Sequence, residues 1–363
     1  MRIFLLLCRM VVSARTRILT WTQEFFYRKI RLLLCAQLLW PGLLAVGCHG
    51  RVQRVAIVPR TTGTLLWEPL HQGAASVAAG QGLHLYWNAP SEEGDVQKQI
   101  GMLAAHMGGD RTGVAGSLRS AFSDADAGII FAPDETLVSR SLIVDAVRRQ
   151  IPVVIVDDEL GPPPGKYLSY VSNDEAAGGR MAARCIAELL HGHGQLAIIG
   201  INTRSESGVT REGDFEQALH EAAPGVQIVV RKFGDQVVAH QQQIAQALTA
   251  SGTHLDAVVT MTAAATRGAY YARITGGLPV AVHIVGFDQD LLMPVREGAI
   301  DAVIAQDTPR IGSLAMQNLV RLMHREPAPG QTLVAPVLIT RQTIDTPPVQ
   351  DLWAFSHYDW SRQ

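Results

Sequence analysis

"AGIIFAPDETLVSRSLIVDAVRRQIPVVIVD", residues 127–157, is the stretch on which the fold turns. Two short apolar runs, "AGIIFAP" (127–133) and "IPVVIVD" (151–157), flank "ETLVSRSLIVDAVRRQ" (135–150), whose apolar residues recur at helical spacing. Short continuous apolar runs read as strands buried on both faces. A strand, a helix and a second strand in this order make a βαβ unit, which places the two strands in parallel.

The same alternation extends in both directions. Upstream, "RVAIVP" (54–59) and "LHLYWN" (83–88) read as strands, and "WEPLHQGAASVAAGQG" (67–82) and "EEGDVQKQIGMLAAHM" (92–107) as helices. Downstream, "GQLAIIG", "VQIVVRKFG", "LDAVVTM" and "VHIVGFD" read as strands. They alternate with the helical patterns "DEAAGGRMAARCIAELLHG", "REGDFEQALHEAAP", "AHQQQIAQALTAS" and "AAATRGAYYARI". Two βαβαβ series predict an α/β protein whose parallel sheets carry helices on both faces. Residues 108–126 fit the alternation poorly and read as an extra loop and helix. "GPPPGK" (161–166) reads as a surface turn, and the tail "DLWAFSHYDWSRQ" (351–363) as an addition without clear period.

The N-terminus is of another kind. Arg28, Lys29 and Arg31 precede an uncharged, largely apolar stretch from Leu32 to Val46. That is shorter than the roughly 20 apolar residues of a membrane-spanning helix, and Pro41-Gly42 interrupts it. Basic residues, then a short apolar run, then small residues predict an export leader over 1–47. Residues 1–47 hold seven of the 31 basic and one of the 33 acidic side chains, so 48–363 carry a formal net charge of -8. An acidic body argues against nucleic acid as a partner. Of the four cysteines, Cys8 and Cys35 lie in the leader and Cys48 directly follows it. Only Cys185 remains, in a helical pattern, so a disulfide framework is excluded.

Enzyme motifs are scarce. "PRTTGTLLW" after the first strand lacks the G-x-G-x-x-G of a dinucleotide fold. "GPPPGKY" has the wrong spacing for a phosphate loop, and no G-x-S-x-G elbow occurs. His191 and His193 sit at a helix end, where a solvated turn is the default. No catalytic residue, metal or cofactor is expected. Ligands of open α/β sheets gather beyond the carboxyl ends of the strands. That directs attention to Thr61–Trp67, Ala132–Glu135, Asp157–Asp158, Asn202–Arg211, Met261–Ala264, Asp288 and Gln306. Carboxylates, amides and guanidinium groups pair with neighbouring sugar hydroxyls, and an aromatic ring covers a C–H face. Trp67, Asp157, Arg211, Asp288 and Gln306 supply that mixture without a nucleophile.

Together the segments "LLWEPLHQGA", "GIIFAPDE", "IPVVIVDDEL", "YVSNDEAAGGRMAA", "TREGDFEQAL", "IVGFDQDL" and "REGAIDAVIAQDTPRIGSLAMQNL" resemble type I periplasmic sugar-binding proteins, over roughly residues 52–340. These are the ribose-binding-protein-like solute receptors of ABC importers, which share a core with lac-repressor-family regulators. The resemblance implies two similar doubly wound lobes joined by a three-strand hinge, with ligand enclosed between them. The expected lobes are 52–172 plus 307–335, and 173–306 plus 336–350. It also implies that Trp67 stacks on the ligand and Thr64 contacts it. Asp157 and Asp288 then accept from hydroxyls, Arg211 reaches the ligand, and Gln306 is the crossover glutamine. Glu175 and Thr262 stand at ligand-facing positions where the family has Asn. The ending Ala45-Val46-Gly47-Cys48 resembles a lipobox, which implies lipidation of Cys48.

The expectation is an exported, membrane-anchored lipoprotein of the periplasm or cell surface, monomeric, that delivers a sugar or related polyol to an ABC permease. The alternative is a periplasmic sensor presenting the same fold to a histidine kinase or chemoreceptor. A repressor would need a helix-turn-helix where residues 1–50 show an apolar leader.

Overall fold

The computed structural model describes residues 53–62, 66–92, 94–108, 126–157, 161–203, 205–250 and 252–356. The leader, Cys48, Thr64, Asp158, most of 108–126 and the last seven residues lie outside that range.

The chain builds β1 (Arg54–Val58), α1 (Trp67–Gly80), β2 (His84–Trp87), α2 (Val96–His106), β3 (Gly128–Phe131), α3 (Thr136–Arg148), β4 (Val153–Val156) and β5 (Leu168–Asn173). It continues with α4 (Glu175–Leu189), β6 (His193–Ile201), α5 (Glu206–Ala222), β7 (Gly225–Phe233), α6 (Val238–Ala250), β8 (Ala257–Thr260), α7 (Ala263–Ile274) and β9 (His283–Phe287). The last elements are α8 (Leu292–Glu297), β10 (Ala302–Ala305), α9 (Thr308–Met323), β11 (Gln331–Val334), β12 (Val337–Thr340) and α10 (Pro347–Ser356).

These strands form two six-stranded sheets. The first runs β2-β1-β3-β4-β5-β11 and every pairing in it is parallel. The second runs β7-β6-β8-β9-β10-β12 and is parallel except for β12, which pairs antiparallel with β10. The two orders repeat one another, so each lobe is doubly wound about its own sheet, as the alternation predicts. The chain passes from the first sheet to the second after Asn173. It returns after Ala305 and crosses again between Val334 and Val337.

Each sheet is buried on both faces at its centre because the central strands are almost continuously apolar, as in GIIF of β3, VVIV of β4 and AVIA of β10. In the first sheet, Val55, Ile57, Ile130, Val154 and Val156 face α1 and α9, where Leu70, Ala74, Ala315 and Leu319 meet them. The alternate residues, Ala56, Val58, Ile129, Phe131, Val153 and Ile155, meet α2 and α3 through Leu103, Ile143 and Ala146. The second sheet divides in the same way. Its two layers contain Ala265, Ala269 and Ala272 of α7 on one face, and Ala182, Ile186, Phe215 and Leu219 of α4 and α5 on the other.

Three glycines let helices meet at unusually close range along two seams. A Cβ on Gly73 of α1 would collide with the Pro309 carbonyl oxygen, and one on Gly312 of α9 with the Leu70 carbonyl oxygen. A Cβ on Gly179 of α4 would collide with the Arg211 carbonyl oxygen of α5. The Ser313 hydroxyl donates to the Gly73 carbonyl (3.1 Å), reinforcing the first of these seams. The tail read as an addition without clear period begins inside a helix, α10, which runs to Ser356. In α10, Val349 is buried in the core of the second lobe. Cys185 is half-buried in α4, and its thiol is pushed up to about 12 by burial, with Glu188 and Asp301 adding to the rise. No helix among the described residues is long and apolar enough to cross a membrane.

Candidate functional site

The carboxyl ends of both sheets face one cavity, of about 1150 Å³ counting the part open to solvent. Arg60 follows β1 and Asp157 follows β4, so the first lobe supplies both. The second lobe supplies Arg211 from α5, Thr262 before α7, Arg267 within it, and Phe287, Asp288, Gln289 and Asp290 after β9. Gln306 lies on the return crossing. Six of the eight residues expected from the sequence therefore come into this region: Asp157, Arg211, Thr262, Asp288 and Gln306 line the cavity, and Glu175 lies directly behind it.

Local structure places each of them. Asp157 has a left-handed backbone (φ 71°), a conformation Asp tolerates better than most side chains. The turn carries its carboxylate to Arg60, at 2.7 Å. Arg60 also donates from Nε to the Pro133 carbonyl (3.0 Å). Buried Gln99 braces the loops after β1 and β3, donating to the carbonyls of Pro59 and Ala132 at 2.8 Å each. Thr262 caps α7, its hydroxyl accepting from the Ala265 amide (3.2 Å).

Glu175, in the first turn of α4, is a hub. Its Oε2 accepts from Arg211 Nε (2.7 Å) and pairs with Nη2 (2.6 Å). Its Oε1 accepts from Asn173 Nδ2 (3.0 Å) and Gln306 Nε2 (3.3 Å). The carboxylate thus ties the ends of two crossings to the arginine beside the cavity. Burial pushes the Glu175 carboxyl above its ordinary pKa; Arg211 pulls the other way, and Asp157 adds to the rise. Arg211 is 9% exposed and lies over the Phe287 ring, 4.3 Å from its centroid. Asp214 and Glu212, its neighbours on α5, pair elsewhere, with Arg180 and Arg231.

Asp288 is engaged as well. Arg267 Nε donates to its Oδ2 (2.8 Å) and Nη2 to its Oδ1 (3.3 Å), while the Asp290 amide donates to Oδ1 (2.8 Å). Arg267 Nη2 also donates to Asp290 Oδ2 (2.6 Å). Burial works against the Arg267 cation, but Asp288 and Asp290 outweigh it and hold its pKa above the ordinary arginine value. Burial, with the Asp288 charge behind it, lifts Asp290.

Trp67 lies elsewhere. It opens α1, is 2% exposed within the core of the first lobe, and does not line the cavity; its neighbour Leu66 does. Arg60 stands between, its guanidinium carbon 6.0 Å from the Trp67 ring centroid. Arg60, Asn173, Arg267, Phe287, Gln289 and Asp290 line the cavity without having been singled out from the sequence. Arg60 sits one residue before the post-strand window considered, and Asp290 two residues after the "GFD" that was. Arg267 lies inside a helical pattern, where nothing in the spacing separates a cavity-facing arginine from a solvated one. No three His, Cys, Asp or Glu side chains among the described residues are placed to hold a metal ion.

Residues 55–327 match the periplasmic binding protein domain. The chain belongs to this family. Among curated relatives, the ribose import binding protein RbsB of Haemophilus influenzae is 27% identical over 201 residues. That match covers 54% of this chain and 66% of the relative, so it stops just short of two thirds of the relative's length. Solved structures share the fold. One is an ABC transporter solute-binding protein from Agrobacterium vitis bound with alpha-D-tagatopyranose. It has a TM-score of 0.72 and 21% identity, over 83% of this chain and 98% of its own. Another is a carbohydrate transporter solute-binding protein from Agrobacterium radiobacter in complex with D-arabinose. It has a TM-score of 0.72 and 20% identity, over 84% and 99% of the two chains. The resemblance to type I periplasmic sugar-binding proteins therefore holds in both family and fold. Membership in the periplasmic binding protein family implies a place of work outside the cytoplasm.

Proposed function

We propose that this periplasmic binding protein is a receptor that encloses a sugar or related polyol between its lobes and delivers it to an ABC importer, without chemistry of its own. The observation that carries the reading is the convergence of Arg60, Asp157, Arg211, Arg267, Asp288 and Gln306 on one cavity at the strand ends. Such side chains match rows of hydroxyls, and Leu66, Phe287 and Ile304 supply apolar cover for C–H faces. The lobes are 52–172 plus 307–335, and 173–306 plus 336–350. Ligand contacts to both favour the closed arrangement, which a permease then recognises. Thermal-shift screening of neutral pentoses, hexoses and polyols tests this. A binder at 100 times its Kd adds about 2.7 kcal/mol to stability. A panel without a single stabilising sugar would reject the reading.

The receptor is monomeric and held at the membrane by lipid on Cys48, after cleavage that removes residues 1–47. Several acyl chains anchor stably where one does not. Mass spectrometry of the membrane fraction is expected to show a mature chain beginning at acylated Cys48, and Cys48→Ala to leave an unlipidated precursor. A mature protein that retains its leader would contradict this.

A further inference from the structure

At and directly behind the cavity three arginines stand against four carboxylates, and each of these groups has an ionic partner within the protein. Arg60 pairs with Asp157, Arg211 with Glu175, and Arg267 with both Asp288 and Asp290. A ligand that brought a negative charge would meet no arginine in these pairs without an ionic partner, and would lose hydration without recovering it. The second lobe's wall has a further property. Both oxygens of Asp288 already accept, from Arg267 and from the Asp290 amide, and its side chain is 1% exposed. The Arg267 side chain, 29% exposed, lines the cavity beside it and is the more open of the two. Its Nε and Nη2 are taken up by the two carboxylates, while Nη1 makes no hydrogen bond among the described residues. Next to Asp288, the amide Nε2 of Gln289 is buried and has no hydrogen-bond partner, although the residue lines the same cavity. A buried donor without a partner is costly. Two unused donors on one wall therefore point to a bound acceptor.

We propose that Arg267 and Gln289 determine specificity, selecting an uncharged polyhydroxyl ligand that turns acceptor oxygens (ring, carbonyl or hydroxyl) toward this wall. The proposal rests on the receptor reading above. It reverses the expectation from the sequence, in which Asp288 accepts from ligand hydroxyls. Here Arg267 occupies that carboxylate, and the wall donates. Acidic sugars are disfavoured because Asp288 and Asp290 outnumber Arg267 locally. Amino sugars are disfavoured because their ammonium group would approach the Arg267 cation, which already holds both carboxylates.

The test is calorimetric titration of the full chain with a neutral hexose or pentose from the screen, its uronic acid and its 2-amino analogue. The wild type is expected to bind the neutral sugar, and the other two at least about tenfold more weakly. Gln289→Leu is expected to weaken the neutral sugar about tenfold. Arg267→Met is expected to do the same and, by releasing two carboxylates, to move the amino sugar ahead of the neutral one. A simple structural role for Arg267 would not invert the order of ligands. Preference of the wild type for either charged sugar overturns the proposal and leaves the receptor reading standing. So does a neutral-sugar affinity within twofold of wild type in both variants. If Arg267→Met does not fold, Gln289→Leu decides alone, and unchanged affinity there overturns the proposal. A wild type that binds none of the sugars overturns both readings.

Discussion

Arg211→Ala should lower the unfolding free energy by about 3–5 kcal/mol, the usual cost of removing one partner from a buried ion pair. The charge left behind is Glu175, whose side chain is 6% exposed. The substitution deletes both bonds to its Oε2 and leaves only the amides of Asn173 and Gln306 on Oε1. Nearby Asp157 makes the unpaired carboxylate costlier still. Denaturant titration at neutral pH measures the loss. A change below about 1 kcal/mol, the range of exposed pairs, would mean that the Arg211–Glu175 pair is not closed in solution. Arg211→Ala should weaken sugar binding too, so the stability of the variant has to be known before its affinity is interpreted. Lining a cleft does not make Arg211 dispensable for folding, because its partner on α4 is buried.

Gly312→Ala is the second large effect. Its Cβ would enter the space of the Leu70 carbonyl oxygen. Backbone cannot yield by changing rotamer, so the two helices must separate, at about 3 kcal/mol, the upper part of the range for overpacking. Gly213, on the exposed side of α5, has nothing within 4 Å of the same position. There the intrinsic helix preference acts alone, and Gly213→Ala should stabilise by up to about 1 kcal/mol. Melting curves of the two variants give opposite signs if the seam is as described. A neutral Gly312→Ala would show that α1 and α9 do not pack this closely.

The contrast between these residues and the strands shows what could be read in the sequence. Burial on both faces leaves a local mark, an apolar run between helices, and β1, β3, β4, β8 and β9 are visible in that way. β5 and β11 carry weaker marks. Ser169, Ser172 and Asn173 interrupt the apolar character of β5 although all of it is buried, and β11 has one buried position in four. The site is legible where a strand end and a family pattern coincide, as at Asp157, Asp288 and Gln306. Pairing is not legible. Arg211 and Glu175 are 36 residues apart and Arg267 and Asp288 are 21, and only the assembled fold brings them together. Trp67 shows the converse. Its residue type and neighbourhood resemble a stacking aromatic, yet its place at the start of α1 puts the ring among core side chains.

The seam between α1 and α9 joins residues 240 positions apart, as the bond from Ser313 to Gly73 shows. Proteins are synthesised from the N-terminus at roughly 5–20 residues per second. On the order of 10–50 s therefore separates the emergence of α1 from that of the helix that covers it. During that interval Leu70, Ala74 and Ala78 lack the partners Ile311, Ala315 and Leu319, and β5 lacks its neighbour β11. The lobe that begins the chain cannot be completed while the chain is being made; it waits for a segment written after nearly all of the other lobe.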